Sequence, residues 1–108
     1  ITGSILYGIY FYDRANNNLI KNNTFVSNHV GIYIKSNENK ISKNLLTDNG
    51  IGIHLQDRAA QNLLEDNQIK QSAVYGIYTK VALGFQNILG DNTLFRNRKD
   101  IMGAEDNP

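Results

Sequence analysis

The sequence holds no cysteine and a single proline, Pro108. Without cysteine there are no disulfides and no thiolate metal centres, and the compartment stays open. With proline confined to one position, strands elsewhere keep every amide available for pairing. An excess of one charge is missing too: the formal net charge is +1, so no bulk field draws the chain to nucleic acid or to an anionic membrane. No apolar run approaches the roughly 18 residues of a membrane span. No charged-then-apolar segment of the signal type opens it. No window keeps a helical i, i+3, i+4, i+7 stripe for three turns. What remains is at most one domain of 108 residues. It is rich in Asn, and its 41% hydrophobic share is enough to bury a core.

What is present is a repeat. Asn18, Asn23 and Asn28 stand at a five-residue beat before Gly31-Ile32-Tyr33-Ile34. The beat returns as Asn39, Asn44, Asn49 before Gly52-Ile53-His54-Leu55, then as Asn62, Asn67, Ser72 before Gly76-Ile77-Tyr78-Thr79. It closes with Asn87, Asn92, Asn97 before Asp100-Ile101-Met102, and Gly8-Ile9-Tyr10-Phe11 is the tail of an earlier copy. The unit of 21 to 25 residues is used about four and a half times. Periods of this size mark stacked repeat folds.

Apolar residues keep fixed offsets within the unit. Ile20, Ile41, Leu64 and Leu89 follow the first Asn by two, and Phe25, Leu46, Ile69 and Leu94 follow the second by two. Ile9, Ile32, Ile53, Ile77 and Ile101 follow the glycine position, with Phe11, Ile34, Leu55 and Thr79 two further on. Short period-2 patterns between turn residues read as strands. Three of them per unit predict a parallel β-helix, each strand pairing with its equivalent one turn later at about 4.8 Å. The L-x-x-L-x-L frame of a leucine-rich repeat is absent.

Asn suits the bends because it tolerates the left-handed conformation and bonds nearby backbone. Stacked at one bend, Asn23, Asn44, Asn67 and Asn92 can also bond each other. Ser72 replaces the expected Asn beside an insertion, Ala73-Val74-Tyr75, so a bulge is expected there. The variable segments, 12–17, 35–38, 56–61 and 80–86, fall after the Gly-Ile strand. Insertions in repeat folds collect on one face, often the binding face. Neither end of the chain resembles a cap, so residues 1–108 are expected to be a stretch of a longer solenoid, with end-to-end self-association through uncapped coils as a further expectation.

Between the inward positions of the Gly-Ile strand lies an outward one: Tyr10, Tyr33, His54, Tyr78 and Met102. Two residues on come Tyr12, Lys35, Gln56 and Lys80. An aromatic column beside cations suits an acidic polysaccharide, with rings against sugars and Lys or Arg (Arg14, Arg58) against carboxylates. The alternative is that Tyr is a good strand residue whose like-on-like stacking holds rungs together. His54 is the one acid/base candidate by type, standing between Tyr33 and Tyr78; a surface His in a Tyr ladder is the competing reading. Asp13/Arg14 and Asp57/Arg58 read as surface pairs that pin turns. No metal array is expected, since the G-G-x-G-x-D nonapeptide is absent. No cofactor is expected. Asn22-Asn23-Thr24 fits a glycosylation sequon, a pattern three residues often match by chance.

Units such as NLIKNNTFVSNHVGIYI and NKISKNLLTDNGIGIHL resemble the right-handed parallel β-helix superfamily of carbohydrate-active proteins. The succession of N-x-[IL]-x-x-N-x-[FIL] and G-I-x-[IL] is similar to the later coils of mannuronan C5-epimerases, which are secreted or periplasmic and act on alginate. That resemblance spans nearly the whole chain. It implies a right-handed single-stranded parallel β-helix and an extracytoplasmic, polysaccharide-processing function, with this segment holding the uronan chain. The Asp-Pro-His-Asp or Asp-Pro-His-Glu motif of those enzymes has no match here, so no catalytic residue carries over. A non-catalytic structural or carbohydrate-binding module, or a polysaccharide lyase, are the alternatives.

Overall fold

The computed structural model describes residues 1–56, 59–79 and 87–103. Within them the chain winds as a right-handed parallel β-helix of about four turns, with no helix among the described residues. The first sheet holds β1 (Tyr7–Phe11), β4 (Val30–Ile34), β7 (Ile51–Leu55), β10 (Tyr75–Thr79) and β13 (Ile101–Gly103). The second holds β2 (Leu19–Lys21), β5 (Lys40–Ser42), β8 (Leu63–Glu65) and β11 (Ile88–Leu89). The third holds β3 (Thr24–Val26), β6 (Leu45–Thr47), β9 (Gln68–Lys70) and β12 (Thr93–Phe95). Every pairing is parallel and joins a strand to its equivalent one coil away.

The register stacks like on like. Ile9, Ile32, Ile53, Ile77 and Ile101 form one column, and Phe11, Ile34, Leu55 and Thr79 the next. Ile20, Ile41, Leu64 and Leu89 line the second sheet's inner face, while Phe25, Leu46, Ile69 and Leu94 line the third's. The middle rungs of all four columns are sealed from solvent. Because the side-chain period of a strand is two, a slip of one residue would turn a whole column outward. That is what fixes the pairing.

The corners are made by two neighbouring residues with different tasks. Of the 11 non-glycine residues with positive φ among the described residues, ten immediately precede a beat position: Asn17, Asn22, Ser27, Glu38, Lys43, Asp48, Gln61, Asp66, Gln71 and Arg96. The left-handed turn therefore falls one residue before the Asn expected to adopt it, on residues of many types. The beat Asn supplies the bonding. Asn67 Oδ1 accepts from the Asn44 backbone N–H (3.0 Å) and from Asn44 Nδ2 (3.1 Å). Its own Nδ2 donates back to Ile41 O (3.0 Å) and forward to Asn92 Oδ1 (2.9 Å). The same pattern runs through Asn18, Asn39, Asn62 and Asn87, and through Asn28 and Asn49. Each left-handed residue costs on the order of 1–2 kcal/mol; buried amide bonds at every corner offset it.

The glycine before Ile9, Ile32, Ile53 and Ile77 answers a close approach. A Cβ on Gly31 would lie 2.6 Å from Gly52 O and 3.0 Å from Leu46 Cδ2, so after the third beat Asn this coil fits against the next only with a residue that has no side chain.

Two rungs are one residue longer than the rest. Val74 and Tyr75 both direct their N–H at Gly50 O (2.9 and 3.4 Å), two residues opposite one, which is a β-bulge. The expected bulge after Ser72 is there. It has a twin, because Ser4 occupies the equivalent corner and donates to Asn28 Oδ1 at 2.9 Å. Ser4-Ile5-Leu6-Tyr7-Gly8 and Ser72-Ala73-Val74-Tyr75-Gly76 are the same device, and each sets a Tyr, just before its glycine, beside the first sheet's outer column.

Candidate functional site

The outer face of the first sheet brings Tyr10, Tyr33, His54, Tyr78 and Met102 into one register column. A rung spacing near 4.8 Å puts successive rings in contact. Tyr10 and Tyr33 are 4.8 Å apart between centroids, and His54 is 4.6 Å from both Tyr33 and Tyr78, nearly parallel to the latter at 14°. The long rungs add Tyr7, 4.8 Å from both Tyr10 and Tyr33, and Tyr75, 5.1 Å from Tyr78. Sequence reasoning missed these two. The doubled S-x-[LV]-Y-G-I-Y is the signal that marks them.

At one end of the column Tyr12 stands 63% exposed, its ring 5.4 Å from that of Tyr10. Lys35 Nζ lies 5.5 Å from the Tyr12 ring centre and 3.8 Å from Asp13 Oδ1. Tyr12, Asp13 and Lys35 thus form a small charged and aromatic group. Asp13 pairs with the next coil's Lys35; the Asp13–Arg14 pair expected from the sequence does not form. Arg14 is left-handed (φ 66°) in the turn closed by the Ala15 N–H to Tyr12 O bond. Arg58 and Lys80 lie outside the described residues.

His54 is held between two rings, with Nε2 shielded from solvent. No three His, Cys, Asp or Glu side chains gather as a metal centre among the described residues, and no helix among them is long and apolar enough to cross a membrane.

A cleft of about 660 Å³ opens on the second sheet instead, lined by Glu38, Asn39, Lys40, Gln61, Asn62, Leu63 and Ile88. Its chemistry is largely spent. Asn39 and Asn62 are buried in the corner ladder with their amides engaged, and Lys40 pairs with Glu65 at 3.2 Å. The aromatic face is the better candidate because its rings and cation point to a ligand type, whereas the cleft offers little beyond shape.

One family model matches the chain, that of the right-handed β-helix region, over residues 1–108. The chain belongs to the right-handed β-helix family. No curated protein and no solved structure shows significant similarity to it. Membership in the right-handed β-helix family accounts for the solenoid and its corner ladders; it points to a polysaccharide-related or structural module.

Proposed function

We propose that the first sheet of this β-helix is a binding surface for an acidic polysaccharide, in an extracytoplasmic protein that processes uronans in the manner of mannuronan C5-epimerases. The observation that carries this reading is the continuous column Tyr10–Tyr33–His54–Tyr78, ending at exposed Tyr12 with Lys35 over its ring. Rings supply apolar faces for sugars, and a Lys supplies the partner for a uronate carboxylate. Chemistry at His54 is not part of the proposal, since its Nε2 is shielded. A second reading rests on an equally specific observation. The middle rings pack on each other at 4.6–4.8 Å, so the column also serves as a purely structural seam, the role it would keep in a module with no ligand.

Affinity electrophoresis through gels containing polymannuronate, polyguluronate, polygalacturonate or a neutral glucan separates the two. Binding to at least one uronan is expected, weaker in Tyr12→Ala and at raised salt, since exposed charge pairing is screened. Retardation by no uronan would leave the structural seam. Following the sugar H1 and H5 proton signals during incubation distinguishes epimerisation from lyase chemistry and from binding alone.

A further inference from the structure

The sequence contains one Asn-Gly pair, Asn49-Gly50, and the fold makes use of both halves of it. The third corner ladder employs the amide at 49 in full: Asn49 Oδ1 accepts from the Asn28 backbone N–H (2.9 Å) and Nδ2 (3.1 Å), and Asn49 Nδ2 donates to Phe25 O (3.0 Å). Position 50 requires a glycine, because a Cβ there would sit 2.6 Å from His29 O. Asn followed by Gly is the backbone sequence least protected against self-attack, since a glycine nitrogen meets no side chain on its way to the preceding amide carbon.

We propose that Asn49-Gly50 is a latent deamidation site that the ladder keeps silent and that opening of this coil releases. In the step, the Gly50 backbone nitrogen attacks Asn49 Cγ. A C–N bond forms, the Cγ–Nδ2 bond breaks, the amide proton passes through solvent to the departing nitrogen, and ammonia leaves. Water then opens the resulting succinimide at either carbonyl, giving aspartate or isoaspartate. In the closed coil every participant is engaged. Asn49 is 1% exposed with both amide atoms bonded, and the Gly50 N–H donates to Asn28 O at 3.0 Å.

The product does not fit back. Aspartate at 49 would bring a carboxylate oxygen against Phe25 O, acceptor to acceptor in a buried corner. Isoaspartate lengthens the main chain by a methylene and shifts the stacked register. An opening that lasts long enough is therefore recorded irreversibly, and the corner sets a kinetic lifetime for the solenoid. This inference is independent of any ligand on the first sheet.

The test incubates the chain in mildly alkaline buffer with and without denaturing urea and follows the Asn49 tryptic peptide by mass spectrometry. Deamidation in the folded chain is expected to run at least about a hundredfold slower than in urea, as for sites reached only through opening. Folded and unfolded rates within about threefold of each other would overturn the proposal. Asn28→Ser, a residue this corner accepts at Ser4 and Ser72, removes one donor to Asn49 Oδ1. It should raise the folded rate several-fold and leave the rate in urea unchanged; an unaltered folded rate in the folded variant would overturn the ladder's part in the protection.

Discussion

Truncating Asn67 to alanine strips a corner from the middle of the solenoid. The side chain is fully buried and makes four hydrogen bonds. Two neighbours keep a second partner: Asn44 Nδ2 still reaches Ile20 O at 3.0 Å, and Asn92 Oδ1 still accepts from the Asn67 backbone at 3.1 Å. The Asn44 backbone N–H and the side-chain-facing lobe of Ile41 O lose theirs. At about 1–3 kcal/mol for each buried group left without a partner, Asn67→Ala should cost roughly 2–6 kcal/mol. Asn23→Ala is the control from the same column. Asn23 is exposed, its side chain donates only to Lys21 O, and its backbone bond to Asn44 Oδ1 survives the change. Water replaces what is lost, so the cost should stay below about 1 kcal/mol. Urea unfolding of both variants at an unchanged m-value reads the difference. Equal midpoint shifts would refute the view that the interior amides, and not Asn as a turn residue, hold the corners.

Ile53→Ala, at the centre of the core column, should destabilise by about 2–5 kcal/mol, whereas Tyr33→Ala should leave the fold intact and weaken uronan binding; comparable loss of fold by circular dichroism in both would mean that the outer column is structural. Ser72→Asn should raise the melting temperature. Ser72 already donates its backbone N–H to Asn97 Oδ1 at 3.0 Å as the ladder Asn residues do, and its buried Oγ has no partner among the described residues. An amide there should add about 1 kcal/mol, and a lowered melting temperature would show that the long rung cannot hold it.

Much of the architecture was legible because a solenoid repeats its instructions. The fixed offsets of Ile20, Phe25, Ile32 and Ile34 recur in every unit, and each recurrence names a column. The outer position of Tyr10, Tyr33, His54 and Tyr78 follows from the same alternation. The left-handed positions were not legible, since Lys43, Glu38 and Arg96 occupy them as readily as Asn17; the backbone pays that conformational cost and no side chain advertises it. Tyr7 and Tyr75 escaped because the bulged rungs shift them by one, which hides them from a strict beat. The pairing of Asp13 with Lys35 crosses coils, and neighbours in sequence gave no hint of it.

The corner amides also have a sense of direction. In all three corners the N–H of one rung points at Oδ1 of the rung that follows, from Ser4 onto Asn28, Asn44 onto Asn67, Asn62 onto Asn87. This series of N–H to Oδ1 bonds consequently runs one way along the axis, while the Nδ2 groups bond both back and forward. Any further coil, or any second copy laid against it, continues that series only when it points the same way; two solenoids meeting nose to nose would interrupt it in all three corners at once.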